Sequence, residues 1–369
     1  MTPVLLVSHH AEIVGGGELS LLGLLDTLDR SRWAPTLVVP AEGRVAADAR
    51  ALGVPAHVVP MPSLRRPGPV VVRSVAALAR LARRERAVLL HANGSRAMFY
   101  AGLAARLSGR PAIWHVRVAD GDGLFDRLLA RLASAVVVNS QAVGRRLAWL
   151  PSGKVRCIHN GVDLARFAPR PPSPALRQSL GVPAAAPIVL SVGRLVPFKG
   201  YAHLLAAAAL VREQRPGVHF VLVGDGELRG ELEAQARGLT LEASIHFTGW
   251  RDDVPELLAL ADVFVLPSLG EHFGRVLIEA MAMERAVVAT DAGGVPEIVT
   301  GGESGVLVPP AQPAVLAQAV VALLRDPAWA ARLAAAARRR AESEFDRSRH
   351  AAAVERLYRE LAPAMPGKV

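Results

Sequence analysis

Cysteine is almost absent. The 369 residues hold one, Cys157, which excludes an internal disulfide framework and leaves no thiolate cluster for a structural metal. Aromatic residues make up only 5% of the chain, so the interleaved basic and aromatic platform on which single-stranded nucleic acid stacks is missing. No apolar run approaches the roughly 18–20 residues that span a bilayer. The opening MTPVLLVSHH has neither a basic leading region nor a small-residue cleavage site, and it reads as a first strand, not a signal peptide. These absences predict a cytoplasmic protein with no nucleic-acid partner, one that meets a membrane only peripherally, at its inner face.

What is present is apolar and basic. Hydrophobic residues account for 51% of the chain and the formal net charge is +10. The first figure excludes a disordered chain, and the length suffices for two domains with separate cores. The second suits a phosphorylated substrate or an anionic membrane surface, although arginine outnumbers lysine heavily and base composition alone could produce that. No short-period repeat stands out.

Short β-branched and leucine runs alternate with helical patterns. Strands are expected at Val4–Val7, Thr36–Val39, His57–Val59, Val88–Leu90, Ala112–Val116, Ala135–Val138 and Val155–Ile158. Unbroken apolar runs of this kind mark strands covered on both faces, and the alternation with helices predicts a parallel sheet. A dense proline stretch, Phe167–Pro174, reads as a linker. The pattern then restarts at Ile188–Val192, His219–Val223, Ile245–Phe247, Val263–Leu266, Val287–Ala289 and Val306–Val308. The fold class is therefore α/β, with two doubly wound, Rossmann-like domains facing a cleft. An N-terminal domain is expected over 1–168 and a C-terminal domain over 169–345. A last helix, Ser348–Leu361 after the cap Asp346, is expected to cross back, so that 346–369 packs on the first domain.

Glu271 and Glu279 carry the most information about chemistry. They flank Gly274 at the expected start of a helix that follows the strand Val263–Leu266. A helix N-terminus seats phosphate, and a carboxylate on either side suits sugar hydroxyls, which together describe a nucleotide-sugar. Gly193-Arg194 at one strand end, with Lys199-Gly200 opening the next helix, can neutralise a diphosphate leaving group. Gly224-Asp225-Gly226 resembles a dinucleotide fingerprint but its third glycine, Gly230, falls one position late; a strand-to-helix turn is the alternative. Gly293-Gly294 and Glu297 add a third polar loop to the same edge. In the first half, Gly15-Gly16-Gly17-Glu18 lets backbone approach a ligand, or is a flexible turn. His115, at a strand end, is placed to reach the cleft, with a structural role as the alternative. Asn93, Ser95, Arg96, Asn139 and Ser140 end neighbouring strands and could contact an acceptor; helix capping is the alternative for the last two. His159-Asn160-Gly161-Val162-Asp163 reads first as a turn or hinge.

Together these motifs resemble the GT-B retaining glycosyltransferases of the group 1, or family 4, type. The resemblance runs in order from Gly15 to beyond Glu297, and the block from Arg194 to Glu297 is its more specific half. It implies transfer of a sugar from a nucleotide diphosphate-sugar, the co-substrate, with retained anomeric configuration. It implies no metal, no further cofactor, and a glycan, lipid-linked or small-molecule acceptor. By resemblance, Arg194 and Lys199 hold the diphosphate and Glu279 the ribose. Glu271, with amides near Phe273 and Gly274, holds the transferred sugar and the donor phosphates. Gly16 and Gly17 close over the phosphates, His115 contacts the donor sugar, and the proline-rich linker serves as a hinge. The leaving phosphate itself accepts the acceptor's proton. Glu18, Asn93, Ser95, Arg96, Arg117, Asn139 and Ser140 fall on the acceptor side.

Two departures stand out. Many relatives have an acidic residue directly after the histidine, whereas Val116-Arg117 follow His115, which suggests an anionic acceptor. His272 and Arg275 add positive potential around Gly274. An epimerase on the same fold would need further acid and base groups, for which Glu12, Glu18, Asp120 and Asp122 are the first-domain candidates. A non-catalytic anion- or membrane-binding protein is the remaining alternative. Arg65-Arg66 and the basic amphipathic stretch Arg73–Arg86 form a candidate surface for an anionic leaflet.

Overall fold

In the computed structural model, which describes residues 1–64 and 68–362, the chain divides into two compact units. The first is Met1–Gly161 with the C-terminal segment from Arg347; the second is Val162–Asp346. Arg65-Arg66 lie outside the described residues.

The first unit is built on seven parallel strands. They are β1 (Thr2–Ser8), β2 (Trp33–Val39), β3 (Ala56–Val58), β4 (Leu89–Asn93), β5 (Ala112–Val116), β6 (Ala135–Val138) and β7 (Val155–Cys157). Their order is β3-β2-β1-β4-β5-β6-β7, which reverses direction between β1 and β4. Ligands of doubly wound sheets sit at the carboxyl ends of strands near such a switch. Alternation along β1 shows why the runs are wholly apolar: Val4 and Leu6 join the core on one face, Leu5 and Val7 the core on the other. Both faces are covered by helices, so neither can be polar.

The C-terminal helix Arg347–Leu361 belongs to this unit. Ala351, Val354, Leu357 and Tyr358 enter the same core as Val4 and Leu6. Glu355 Oε1 accepts the Asp29 N–H at 2.9 Å, and Arg347 pairs with Asp26 at 2.6 Å.

The second unit repeats the plan with six parallel strands: β8 (Ile188–Val192), β9 (His219–Val223), β10 (Ile245–Gly249), β11 (Val263–Leu266), β12 (Ala286–Thr290) and β13 (Val306–Val308). The order β10-β9-β8-β11-β12-β13 places its switch point between β8 and β11. Two cores again flank the sheet, with Leu190 and Val192 on one side and Val189 on the other.

The crossing between units lies ahead of the proline-rich stretch expected to be the linker. Phe167 is buried in the second unit's core, Ser173 caps the helix Pro174–Ser179 through the Leu176 N–H, and Arg170 pairs with Glu256 at 2.7 Å. Val162, whose N–H bonds Phe345 O at 2.7 Å, already belongs to the second unit. The prolines therefore stiffen a segment that packs on its own domain.

Among the described residues no single helix is long and apolar enough to cross a membrane. The bent pair Pro313–Arg325 and Pro327–Glu344 passes by length and composition, but Leu316, Val320, Leu323, Leu333 and Ala337 are buried in the second unit's cores.

Candidate functional site

At the carboxyl edge of the second sheet, three loops converge. The loop after β8 carries Arg194 and Lys199, the loop after β11 carries Glu271 to Gly274, and the loop after β12 carries Gly293 and Gly294. Lys199 Nζ lies 2.6 Å from Glu271 Oε2, and the Ser268 hydroxyl donates to the same oxygen at 3.0 Å. Burial pushes the Glu271 carboxyl up. The Lys199 ammonium outweighs it, with the Ser268 hydrogen bond and His272, and holds the group below its usual range. Arg194 and Lys199 both face the Phe198 ring, at 5.9 and 5.5 Å from its centroid, which gathers their charge at one place.

The backbone makes these loops possible. Gly224 has φ of 132°, and a Cβ there would run into the Gly193 carbonyl; Gly293 has φ of 60°, and a Cβ there would run into the Glu271 carbonyl. The Gly294 N–H donates to Glu271 O at 2.8 Å. Gly224 thus packs against the loop that carries Arg194, while Gly293 and Gly294 brace the loop that carries Glu271. Asp225 is turned to its own segment, accepting from the Gly226 N–H at 2.8 Å and pairing with Arg229 at 3.3 Å.

The helix Arg275–Ala282 begins directly after Gly274, whose φ of 95° turns the chain into it. Its first turn directs backbone N–H groups back toward the Glu271 loop. The Phe273 side chain is buried in the core 6.2 Å from the Phe345 ring, which leaves its backbone to the edge, the part expected to matter. His272 stays half-buried beside Phe198, ring centroids 5.6 Å apart. Glu279 is buried one helical turn beyond Arg275 and pairs with it at 3.1 Å. Burial raises the Glu279 carboxyl, and Arg275 and Arg166 only partly offset that.

At the first sheet's edge, His115 is a correction. Its ring is 0% exposed, stacked on His91 at 5.3 Å, with Nδ1 3.1 Å from His91 Nε2. His91 Nδ1 in turn meets the Tyr358 hydroxyl at 2.7 Å. His115 lies inside β5, one residue short of its end, and the C-terminal helix closes over it. Burial, then Arg117, His91 and His350, hold His115 well below its ordinary pKa; burial and Arg117 bring His91 down to about 3. Both rings are neutral at physiological pH.

Arg117, past the end of β5, is what reaches the edge. Its guanidinium donates to Asn93 Oδ1 at 2.8 Å, to Ser20 Oγ at 3.0 Å and to Asn160 Oδ1 at 2.7 Å. Its Cγ lies 3.8 Å from where a Cβ on Gly17 would be, so the glycine loop runs directly beside it. Asn139 donates to Arg117 O at 3.4 Å. The remaining expected acceptor residues serve the fold: Glu18 accepts the Gly15 N–H at 3.1 Å and closes the cap of helix Gly16–Thr27. Ser140 caps the next helix through the Val143 N–H, Arg96 donates to His9 O at 2.7 Å, and Ser95 Oγ lies 3.5 Å from Arg146. Sequence reading missed Ser268, Ser20 and His91, because a lone serine or an in-strand histidine carries no spacing signal. Of the four acids an epimerase could recruit, Glu12, Glu18 and Asp122 already accept backbone N–H groups.

The family model of the group 1 glycosyl transferases matches residues 172–340, and that of glycosyltransferase family 4 matches residues 14–166. Alpha-maltose-1-phosphate synthase of Mycolicibacterium smegmatis is 34% identical over 257 residues, covering 64% of this chain and 66% of that protein, just under two thirds of its length. Alpha-D-kanosaminyltransferase of Streptomyces kanamyceticus is 31% identical over 295 residues, covering 73% of this chain and 76% of its own. The crystal structure of Anabaena Alr3699/HepE in complex with UDP and glucose superposes with a TM-score of 0.86 at 28% identity, over 98% of this chain and 100% of that one.

Proposed function

The chain belongs to the GT-B glycosyltransferases of group 1 and family 4, and on that premise we propose that it moves a sugar from a nucleotide diphosphate-sugar to an acceptor, with anomeric configuration retained and no metal. The observation that carries this reading is the Lys199–Glu271 pair, 2.6 Å apart, at the start of helix Arg275–Ala282 with Glu279 buried behind it. Lys199, Arg194 and the helix N–H groups supply the positive field for a departing diphosphate, the part a metal would otherwise play. Glu271 accepts hydroxyls of the transferred sugar, and Glu279 those of the ribose. A freed phosphate oxygen takes the acceptor's proton as its oxygen bonds to the anomeric carbon. UDP is the first nucleotide to try, since the Anabaena structure holds it.

A guanidinium at Arg117, directly past the end of β5 and beside the glycine loop, suits an acceptor that carries phosphate or another anion, whether glycan, lipid-linked or small. The experiment is release of nucleotide from UDP-, GDP- and ADP-sugars with and without candidate acceptors, the product anomer read by NMR. Acceptor-dependent release with retention supports transfer; inversion sinks the retaining mechanism; nucleotide binding with no turnover of any donor sinks the enzyme.

Peripheral association with an anionic leaflet has support at a second place besides the Arg73–Arg86 stretch. In helix Pro69–Arg84 the apolar residues Val75, Leu78 and Leu81 are buried in the core, and the outer face carries its arginines with the exposed Val70 and Val72 at its start. Helix Gly123–Leu132 also exposes Leu124 (80%) and Leu128 beside Arg127 and Arg131, and Arg127 lies 6.0 Å over the exposed Trp149 ring. Apolar side chains set among cations suit an anionic interface. Co-sedimentation with phosphatidylserine-containing vesicles that is salt-sensitive and lost in Leu124→Asp supports this; binding unaffected by Leu124→Asp ends it.

A further inference from the structure

Arg275 stands where helix physics disfavours it. It opens helix Arg275–Ala282, and a cation in the first turn opposes the helix dipole. Its partner at i+4 is a glutamate, the weaker order for such pairs. Arg275 is 17% exposed and Glu279 8%, yet Arg275 Nε and Nη1 are buried with no hydrogen-bond partner among the described residues. A guanidinium offers five donors, and leaving buried ones unmade is unfavourable. Nothing in this local arrangement stabilises the arginine for its own sake. What it does touch is the carboxylate that the proposed function assigns to the ribose.

The surroundings of Glu279 are sparse in compensation. Arg166, from the segment after Val162, adds a weaker influence while its own guanidinium is tied to Asp252 O at 3.0 Å. Arg338, on the helix packed alongside, is bonded to the Ala282 carbonyl at the far end. Glu271 and His272 lie in the loop before the helix, and Lys199 is already engaged with Glu271. Arg275 is therefore the principal counter-charge.

We propose that Arg275 is a positioning residue that keeps Glu279 ionised, as a two-oxygen acceptor for the donor's ribose hydroxyls. This rests on the reading that Glu279 holds the ribose. A carboxylate accepts from both hydroxyls; a protonated carboxyl must turn one oxygen into a donor and loses one of those bonds. Burial alone drives Glu279 toward the protonated form. Donor affinity falls as pH drops through the Glu279 titration, and removing Arg275 moves that fall to higher pH.

The test is binding of UDP and GDP by titration calorimetry from pH 5.5 to 8.5. Arg275→Met is expected to lose about tenfold in affinity at the acid end, with the break displaced upward by about one pH unit, while Arg275→Lys keeps the parent profile. The dideoxy analogue of the nucleotide, lacking both ribose hydroxyls, is expected to bind parent and Arg275→Met alike. Arg166→Met gives a smaller shift of the same sign, and it carries the test if Arg275→Met does not fold. A loss that is equal at every pH, or equal for the dideoxy analogue, overturns the proposal and makes Arg275 a direct phosphate contact or a purely structural group. Weak binding by Glu279→Gln with a normal Arg275→Met profile overturns this proposal alone. Normal binding by Glu279→Gln, or no binding of either nucleotide to the unchanged protein, removes the ribose reading and this proposal together.

Discussion

The two units share one topology and spend it differently. Each winds a parallel sheet outward from a central switch point, β1/β4 in the first and β8/β11 in the second. At the second sheet's edge the polar groups are ionised and paired: Lys199 with Glu271, Arg275 with Glu279. At the first, Arg117 is bonded to Asn93, Ser20 and Asn160, and Arg146, beside Ser95, pairs with the buried Asp126 at 2.5 Å. Two similar backbone plans thus carry acidic groups of different placement: two glutamates at the phosphate-seating helix of the second edge, one aspartate behind the first. A fold supplies positions, and the side chains decide which charge a ligand meets there.

The largest effect that would break this contrast comes from Lys199. Lys199→Met leaves the buried Glu271 carboxylate without its main partner, which is expected to lower stability by roughly 3 kcal/mol and turnover by about 100-fold or more. The double variant Lys199→Met with Glu271→Leu removes the pair as a whole. Denaturant unfolding should show it recovering most of that stability, while activity stays lost. Recovery of activity in the double variant would mean that the pair is structural and the second edge no more functional than the first.

Gly293 sharpens the same edge through backbone. Gly293→Ala needs a side chain at φ of 60° and puts a Cβ against the Glu271 carbonyl. It is expected to lose roughly 2–3 kcal/mol of stability, and nucleotide binding should weaken with it because the Glu271 loop must shift. An unfolding midpoint like the parent's would show the loop crossing to be slack.

That crossing marks the limit of what sequence can disclose. Ala112–Val116, Ala135–Val138, Ile188–Val192 and Val263–Leu266 were legible to the residue, because a strand buried on both faces is a nearly continuous apolar run. The Glu271–Glu279 spacing was legible because a strand, a glycine and a helix start fix it locally. His115 was not: whether a strand-end side chain faces outward depends on what covers it, here His91 from the neighbouring strand and His350 from the far end of the chain. Glu18 follows the same logic, closing a helix cap. Gly293 could be read as a polar-loop glycine, but its partner, Glu271 O, exists only in three dimensions.

Arg117 tests the first edge by itself. Arg117→Met should raise the acceptor KM about tenfold while leaving UDP binding unchanged. Arg117→Lys should rescue little, since a point charge cannot reproduce bonds to Asn93, Ser20 and Asn160 at once. An equal loss of nucleotide affinity would assign the arginine to the donor and erase the division between edges.

The smallest effect concerns pH and the buried histidines. His91 and His115 are held below the ordinary histidine value in the folded chain, His91 at about 3. The unfolded chain therefore binds more protons than the folded one between about pH 6.5 and that folded value. Stability is fully present above about pH 6.5 and declines as pH falls, by up to about 1.4 kcal/mol per pH unit for each histidine in that window. Glu271, whose carboxyl is also held low, acts in the same direction but loses its contribution only as pH falls through the ordinary carboxylate range. Thermal melts between pH 7 and 5 should report all the histidines held low, with His9 of the first unit and His219 and His246 of the second adding to His91 and His115, and the raised Glu279 carboxyl working against them. His91→Phe should reduce that slope whatever its effect on stability at pH 7, because one of the groups that takes up a proton on unfolding is gone. A slope unchanged in His91→Phe would place the acid sensitivity outside the histidine pair.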